Sequence, residues 1–235
     1  MQIPADILVF DMDGVLLQSN RLKHDAMLGL FHMNTAQRLE VERYNLGAGG
    51  IPRRQKFEHI WRQILGRSYS PAVEATLSDA YAQALEHRLL SVPQVEGVQA
   101  FIESCGRPCY VCTAAPEAEA REVLSRRGLA SLFAGIYGSA STKQMALDAI
   151  ASISRHAVDR VLFFGDSRAD WLAARAAGCL FVGVTREKND FVGEELPVIR
   201  DFQDAVRLHQ AFAVAALKST PCIPQTPGDV DAGAA

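Results

Sequence analysis

Two aspartates, Asp11 and Asp13, follow directly on the apolar run Ile7 to Phe10, in the segment FDMDGVL. Carboxylates two residues apart after a buried strand are costly to bury together unless a cation or a shared proton offsets their repulsion. A second apolar run, VLFFG, ends in the same way, with Asp166 straight after Gly165 and Asp170 four residues on, in the opening turn of a helix. If the two runs are neighbouring strands, four carboxylates converge. Oxygen-only ligation completed by waters and a phosphate is the coordination that Mg²⁺ accepts. Between these acids the run CYVC leads into Thr113 and Ala114. A hydroxyl and backbone amides there can hold phosphate oxygens, and the threonine alternatively reads as a plain N-cap. Lys143, in YGSASTK, falls in the loop or first helical turn after a third run. A cation at that place opposes the helix dipole, so it is expected to face an anion.

The elements that must position these residues are short and continuous in hydrophobicity. Runs at Ile7 to Phe10, Pro108 to Cys112, Gly135 to Tyr137, Arg160 to Phe164 and Leu180 to Val184 are separated by helical stretches. That pattern predicts an α/β fold built on a doubly wound parallel sheet covered on both faces, with ligands at the carboxyl ends of its strands. Pro116 opens one helix, which carries acids in its first turn, Arg126 and Arg127 in its last and Gly128 as its stop; Ala169 to Ala177, closed by Gly178, is another. Between the first and second runs the alternation fails, and amphipathic helices replace it. The clearest is predicted from Pro71 to Leu90, with Val73, Leu77, Ala80, Tyr81, Ala84, Leu85 and Leu89 on one packing face.

The expected organisation is therefore a catalytic core of residues 1–17 and 91–217, a helical insertion at 18–90 and a flexible tail at 218–235. The glycine-rich stretch Asn45 to Pro52 is either a plain loop or one facing a ligand. It precedes the cations Arg53, Arg54 and Lys56. In the proline-rich tail, P-x-x-P spacing reads as a frayed terminus rather than a polyproline ligand.

With 24 Lys plus Arg against 27 Asp plus Glu, the net charge of −3 lacks the basic excess that sequence-independent nucleic-acid binding requires. No apolar stretch approaches the roughly 20 residues that span a bilayer, and the first residues lack a basic, cleavable leader. Expected partners are thus small molecules, with no nucleic acid and no membrane, in a cytoplasmic protein that is a monomer or homodimer. The five cysteines are odd in number and sit in apolar segments, as expected for buried structural thiols in a reducing compartment. Cys109 and Cys112 have C-x-x-C spacing, but on an extended segment they point to opposite faces.

These elements together resemble the haloacid dehalogenase superfamily of aspartate-nucleophile phosphohydrolases. The resemblance rests on DMDGV, on Thr113 in VCTAAP, on Lys143 and on GDSRAD, occurring in that order. It covers about residues 5 to 217, with a helical cap between the first two motifs. It implies that Asp11 attacks phosphorus and that Asp13 protonates the leaving group and later activates water. It also implies that Lys143 and Thr113 bind the phosphoryl oxygens. Mg²⁺ would be held by the Asp11 carboxylate, the Asp13 carbonyl and Asp166, with Asp170 supporting the site through Lys143 or a metal-bound water.

Chemistry requires Asp11 to stay ionised against the metal while Asp13 has its pKa raised toward neutrality. Within the superfamily the run DGVLLQSNRLKHDA and the element G-x-x-R-x-x-K-F from Gly50 to Phe57 resemble phosphoglycolate phosphatase and sugar-phosphate phosphatases, with Gln18 and Pro52 as departures. The expected substrate is a small phosphate ester, read by Arg53 and Lys56, with Arg54, Arg21, Lys23 and His24 as further candidates. A phosphomutase of the same family, or a non-catalytic domain phosphorylated on an aspartate, are the alternative readings.

Overall fold

The computed structural model describes residues 3–186 and 189–218, so the expected tail, from residue 219 onward, lies outside the described residues with its P-x-x-P spacing and Cys222. The expected strands form as β1 (Ile7–Phe10), β2 (Cys109–Cys112), β3 (Gly135–Tyr137), β4 (Val161–Gly165) and β5 (Leu180–Val184). A two-residue strand, β6 (Val198–Ile199), adds to the edge. Its brevity, and the exposure of Val198, left no apolar run to read.

Among the described residues the strands of the sheet all pair in parallel, in the order β3-β2-β1-β4-β5-β6. The chain lays β2 and β3 on one side of β1 and then crosses to lay β4, β5 and β6 on the other. This reversal puts the topological switch point between β1 and β4, where a doubly wound sheet opens a crevice at its carboxyl end.

Continuous hydrophobicity follows from burial on both faces. Every residue of β1 is fully buried. Leu8 and Phe10 join Leu162 and Phe164 in one apolar cluster, whereas Ile7 and Val9 join Val161 and Phe163 in the other. Phe10 stacks on Phe164 with ring centroids 5.0 Å apart, and Phe101, Phe202 and Phe212 pack around them. Each such ring contributes roughly 1.5–3 kcal/mol on burial, and a one-residue slip would exchange the two faces, so the register that sets Asp11 beside the end of β4 is firmly held. Cys109 and Cys112 fall in different clusters, as their odd spacing requires.

Between β1 and β2 lie α1 (Asn20–Gly29), α2 (Thr35–Gly47), α3 (Arg53–His59), α4 (Pro71–Leu85) and α5 (Arg88–Ser91), with a π-helical turn at Ile60–Ile64. The single helix expected from Pro71 to Leu90 is thus two. Leu77, Tyr81, Leu85 and Leu89 are buried as anticipated, but Ala84 is exposed and the chain turns at Glu86 and His87. The physical cause is tertiary: Arg127 donates to the carbonyls of Leu89 and Leu90 at 2.9 and 2.8 Å, drawing this end of the insertion onto the sheet domain. The segments leaving and re-entering the sheet domain run side by side, Gln18 N donating to Pro93 O at 2.9 Å and Val95 N to Leu16 O at 3.0 Å. Beyond them follow α6 (Val98–Ser104), α7 (Glu117–Arg126), α8 (Lys143–Ser154), α9 (Arg168–Ala177) and α10 (Ala205–Lys218). Among the described residues no helix is long and apolar enough to cross a membrane.

Candidate active site

Asp11 stands at the switch point. Its backbone N–H donates to Phe164 O at 2.9 Å, continuing the β1–β4 ladder by one residue, and only 4% of the residue is exposed. Lys143, the first residue of α8, donates from Nζ to Asp11 Oδ1 at 2.9 Å and to Asp170 Oδ1. The cation that opposes the α8 dipole therefore faces two anions, as its position demanded. Burial works against its charge, yet the Asp11 and Asp170 carboxylates hold its pKa well above the usual lysine value.

Asp170 is fixed by the sequence around it. Ser167 caps α9, and Asp170 completes a capping box, its Oδ2 accepting from Ser167 N at 3.1 Å and from Ser167 Oγ at 2.6 Å. With Oδ1 on Lys143, both of its oxygens are engaged by the protein.

Asp11, Asp166 and Asp170 bring carboxylate oxygens within 4.8 Å of one another. Asp166 also accepts from Asn20 Nδ2 at 2.5 Å. Burial first, then the charges of Asp11 and Asp170, push the Asp166 pKa well above the usual carboxylate value. Three acids and one ammonium leave negative charge uncompensated, which is the electrostatic setting of a divalent cation. Gly14 makes this approach feasible: its φ is +78°, and a Cβ there would overlap the Asp166 carboxylate and the Asn20 amide.

The Asp13 side chain stands apart from this cluster. It accepts from Lys23 Nζ at 2.6 Å and from Ser19 Oγ at 2.5 Å. Burial pushes its pKa up, but the Lys23 charge and these hydrogen bonds outweigh burial and hold it below the ordinary value. Burial raises Asp11 to about 7, partly opposed by Lys143 and reinforced by Asp170 and Asp13. In the protein alone the electrostatics thus favour a charge on Asp13 over one on Asp11, because Lys23 neutralises Asp13 whereas Asp11 shares Lys143 with Asp170; the expected order concerns Asp11 held against the metal.

Thr113 follows β2 and is 2% exposed, its N–H donating to Tyr137 O at 2.9 Å. It is not an N-cap, since Pro116 holds that position in α7. Its Oγ1 instead accepts from Ala115 N at 3.1 Å in a tight turn.

The acids open into a cavity of about 320 Å³ between the sheet and the inserted helices. Asp11, Asp13, Asp166 and Ala114 line it from the strand ends, and Lys23, His24, Arg53, Lys56 and Tyr81 from the insertion. Thr113, Lys143 and Asp170 lie outside that lining, and Arg54 points to Glu74 at 3.0 Å. The glycine-rich stretch also faces the cavity, through Gly49 and Gly50. Gly50 has φ +70°, and a Cβ there would meet the Ser167 hydroxyl and Ala169, so glycine lets the insertion close on α9.

Three contributors escaped the sequence reading. Ser19 and Asn20 carried no signal of their own at the start of α1, yet Ser19 spends its hydroxyl on Asp13 and Asn20 its amide on Asp166. Glu119 reads as a first-turn acid serving the α7 dipole, yet it accepts from Arg53 across the cavity.

The sequence pattern described as haloacid dehalogenase-like hydrolase matches residues 8–184. A phosphoglycolate phosphatase of Neisseria meningitidis is 39% identical over 98 residues, which span 40% of this chain and only 42% of that protein. A phosphoglycolate phosphatase of Cereibacter sphaeroides is 30% identical over 200 residues, 81% of this chain and 89% of its own length. Among solved structures, β-phosphoglucomutase from Clostridium difficile shares the fold with a TM-score of 0.71 at 15% identity, over 89% of this chain and 97% of that one.

Proposed function

The chain belongs to the haloacid dehalogenase-like hydrolase family, and from that premise we propose that it is a Mg²⁺-dependent phosphatase acting on a small phosphate monoester, phosphoglycolate or a similar metabolite, through an aspartyl phosphate. The observation that carries this reading is the pair of acids at the end of β1. Asp11 and Asp13 open to one cavity but sit in separate electrostatic settings, the first with Lys143 and Asp170, the second with Lys23 and Ser19. Two carboxylates so divided can serve as nucleophile and as proton carrier.

The uncompensated acids fit a divalent cation. Asp11, Asp166 and the main-chain carbonyl of Asp13 would hold it, while Asp170, spent on Lys143 and Ser167, would not. Bound there, Mg²⁺ supplies positive charge against the phosphoryl oxygens and the nucleophile.

Asp11 Oδ attacks phosphorus and forms a P–O bond as the bond to the leaving oxygen breaks, and Asp13 hands that oxygen a proton. Lys143 keeps Asp11 oriented and offsets the repulsion between carboxylate and phosphate dianion. In the second displacement Asp13 takes a proton from water, whose oxygen attacks phosphorus and releases Asp11 and inorganic phosphate. The inserted helices act as a cap that excludes water and selects the leaving group.

The test is turnover of a panel of phosphate monoesters with Mg²⁺, following inorganic phosphate. Rearranged phosphate ester in place of free phosphate would make the protein a mutase, and no turnover with intact metal binding would remove the enzymatic reading.

A further inference from the structure

Cations crowd the cap side of the cavity, but most of their charge is already spent within the protein. Lys23 is paired with Asp13 at 2.6 Å, Arg53 with Glu119, and Arg186 with Glu96. Lys56 differs. Its half-buried ammonium makes only a 3.4 Å hydrogen bond to Asn45 Oδ1, with no carboxylate partner among the described residues. Asn45 is in turn oriented by His24, its Nδ2 lying 3.0 Å from His24 Nδ1, which keeps the amide oxygen toward Lys56.

An ammonium has three donors, and burying it with one distant neutral acceptor, and with the Asp13 and Asp166 carboxylates beyond ion-pair distance, costs free energy that an apolar side chain of similar shape would avoid. Nothing in the packing of α3 requires a charge there, since Phe57 and Ile60 provide its buried apolar contacts. The cost becomes useful if a ligand supplies the missing anion. That anion is not the reacting phosphoryl group, which belongs at Asp11 and Lys143.

We propose that Lys56, oriented by Asn45 and His24, binds a second anionic group of the substrate, a carboxylate on the leaving alcohol. The inference rests on the phosphatase reading and narrows it to esters of small hydroxy acids. The size of the cavity, about 320 Å³, sits at the lower end of small-molecule sites and suits a leaving group of a few carbons. Arg53, the other cation expected to bind substrate, is instead a bridge to Glu119 and reads no anion while so paired.

The decisive measurement compares kcat/KM for 2-phosphoglycolate, for ethyl phosphate as its uncharged counterpart, and for ethylene glycol bisphosphate, in the parent, Lys56→Met and Lys56→Arg proteins. The parent should prefer the carboxylated ester over both others. Lys56→Met, whose folding is checked by its thermal transition, should lower the ratio of carboxylated to uncharged ester about tenfold to a hundredfold, and Lys56→Arg should restore part of it. Glycolate should likewise inhibit the parent more strongly than Lys56→Met. A parent that hydrolyses these esters without preference, or favours the bisphosphate, overturns the carboxylate assignment while leaving the phosphatase intact, as does a Lys56→Met protein with the parent's ratio. A parent that hydrolyses no phosphate ester at all removes the reading on which the assignment rests.

Discussion

Arg53 of α3 donates to Glu119 of α7, tying the inserted helices to the sheet domain in the wall of the cavity that the acids also line. Both side chains are mostly buried, and Arg53 also lies 5.2 Å from the ring centroid of Tyr81. Removing one partner strands the other charge in the cavity wall, which costs far more than the pair itself contributes. Arg53→Ala and Glu119→Ala should each lower kcat/KM about tenfold or more, and the double variant should lose much less than the product of the two, a coupling of about 1–3 kcal/mol. Additive losses in that cycle would mean that the two residues act independently.

Asp11→Asn preserves the shape of the nucleophile but removes its charge and reactivity, so turnover should fall below about 1% of the parent with the fold retained. Quenched reactions with ³²P-labelled ester should yield acid-stable label on the parent protein and none on the variant. Residual turnover well above that level would exclude Asp11 as the attacking group.

For Asp13→Asn the loss should depend on the leaving group. An aryl phosphate needs little protonation of its departing oxygen, so phosphoenzyme should still form from it and then hydrolyse slowly, whereas an alkyl phosphate should scarcely react. Equal losses for both classes of ester would argue against proton transfer by Asp13.

Metal dependence follows from the crowding of Asp11, Asp166 and Asp170 within 4.8 Å. Exhaustive chelation should abolish turnover and Mg²⁺ should restore it. Ca²⁺, which takes more ligands at longer distances, should compete for the site and inhibit. Activity that survives chelation would take the cation out of the reaction.

The strands and the acids at their ends were readable in the sequence because a parallel sheet buried on both faces needs unbroken apolar runs, and Asp11 and Asp166 interrupt those runs abruptly. The Lys143 contact was likewise readable, because a lysine at a helix start is an electrostatic anomaly that needs an anion. What the sequence did not contain was pairing across the cavity. Glu119 satisfies a local rule for helix starts as well as it satisfies Arg53, and nothing local marks the Ser19 hydroxyl as the partner of Asp13. For the same reason Arg53 and Lys56 looked alike. Three residues apart on one helix, they differ only in whether a distant carboxylate meets them. The pairing of Lys23 with Asp13 was hidden on the same ground, since Lys23 lies ten residues beyond Asp13 and meets it only in the folded chain.

Lys56 also predicts a pH dependence in which binding and stability move in opposite directions. Burial first, then the Lys23 ammonium, lower its pKa to about 8, with Asp13 and Asp166 pulling the other way. Below that value the ammonium is present and can meet a substrate carboxylate. Above it the folded protein loses the charge, so the preference for carboxylated over uncharged esters should decline through pH 8 and beyond. Stability runs the other way. In the unfolded chain a lysine keeps its proton to about 10.4. Between pH 8 and that value the unfolded state therefore binds more protons than the folded one, and stability attributable to this group rises with pH. Near pH 7 the buried charge should thus cost the folded protein on the order of 1–3 kcal/mol, and Lys56→Met should melt higher than the parent by several degrees, with the difference shrinking as pH approaches 10. Thermal melts of the two proteins across that range, without substrate, check this directly. An unchanged or lower transition for Lys56→Met near pH 7 would show that the ammonium is adequately solvated where it stands, with no cost for a ligand to relieve.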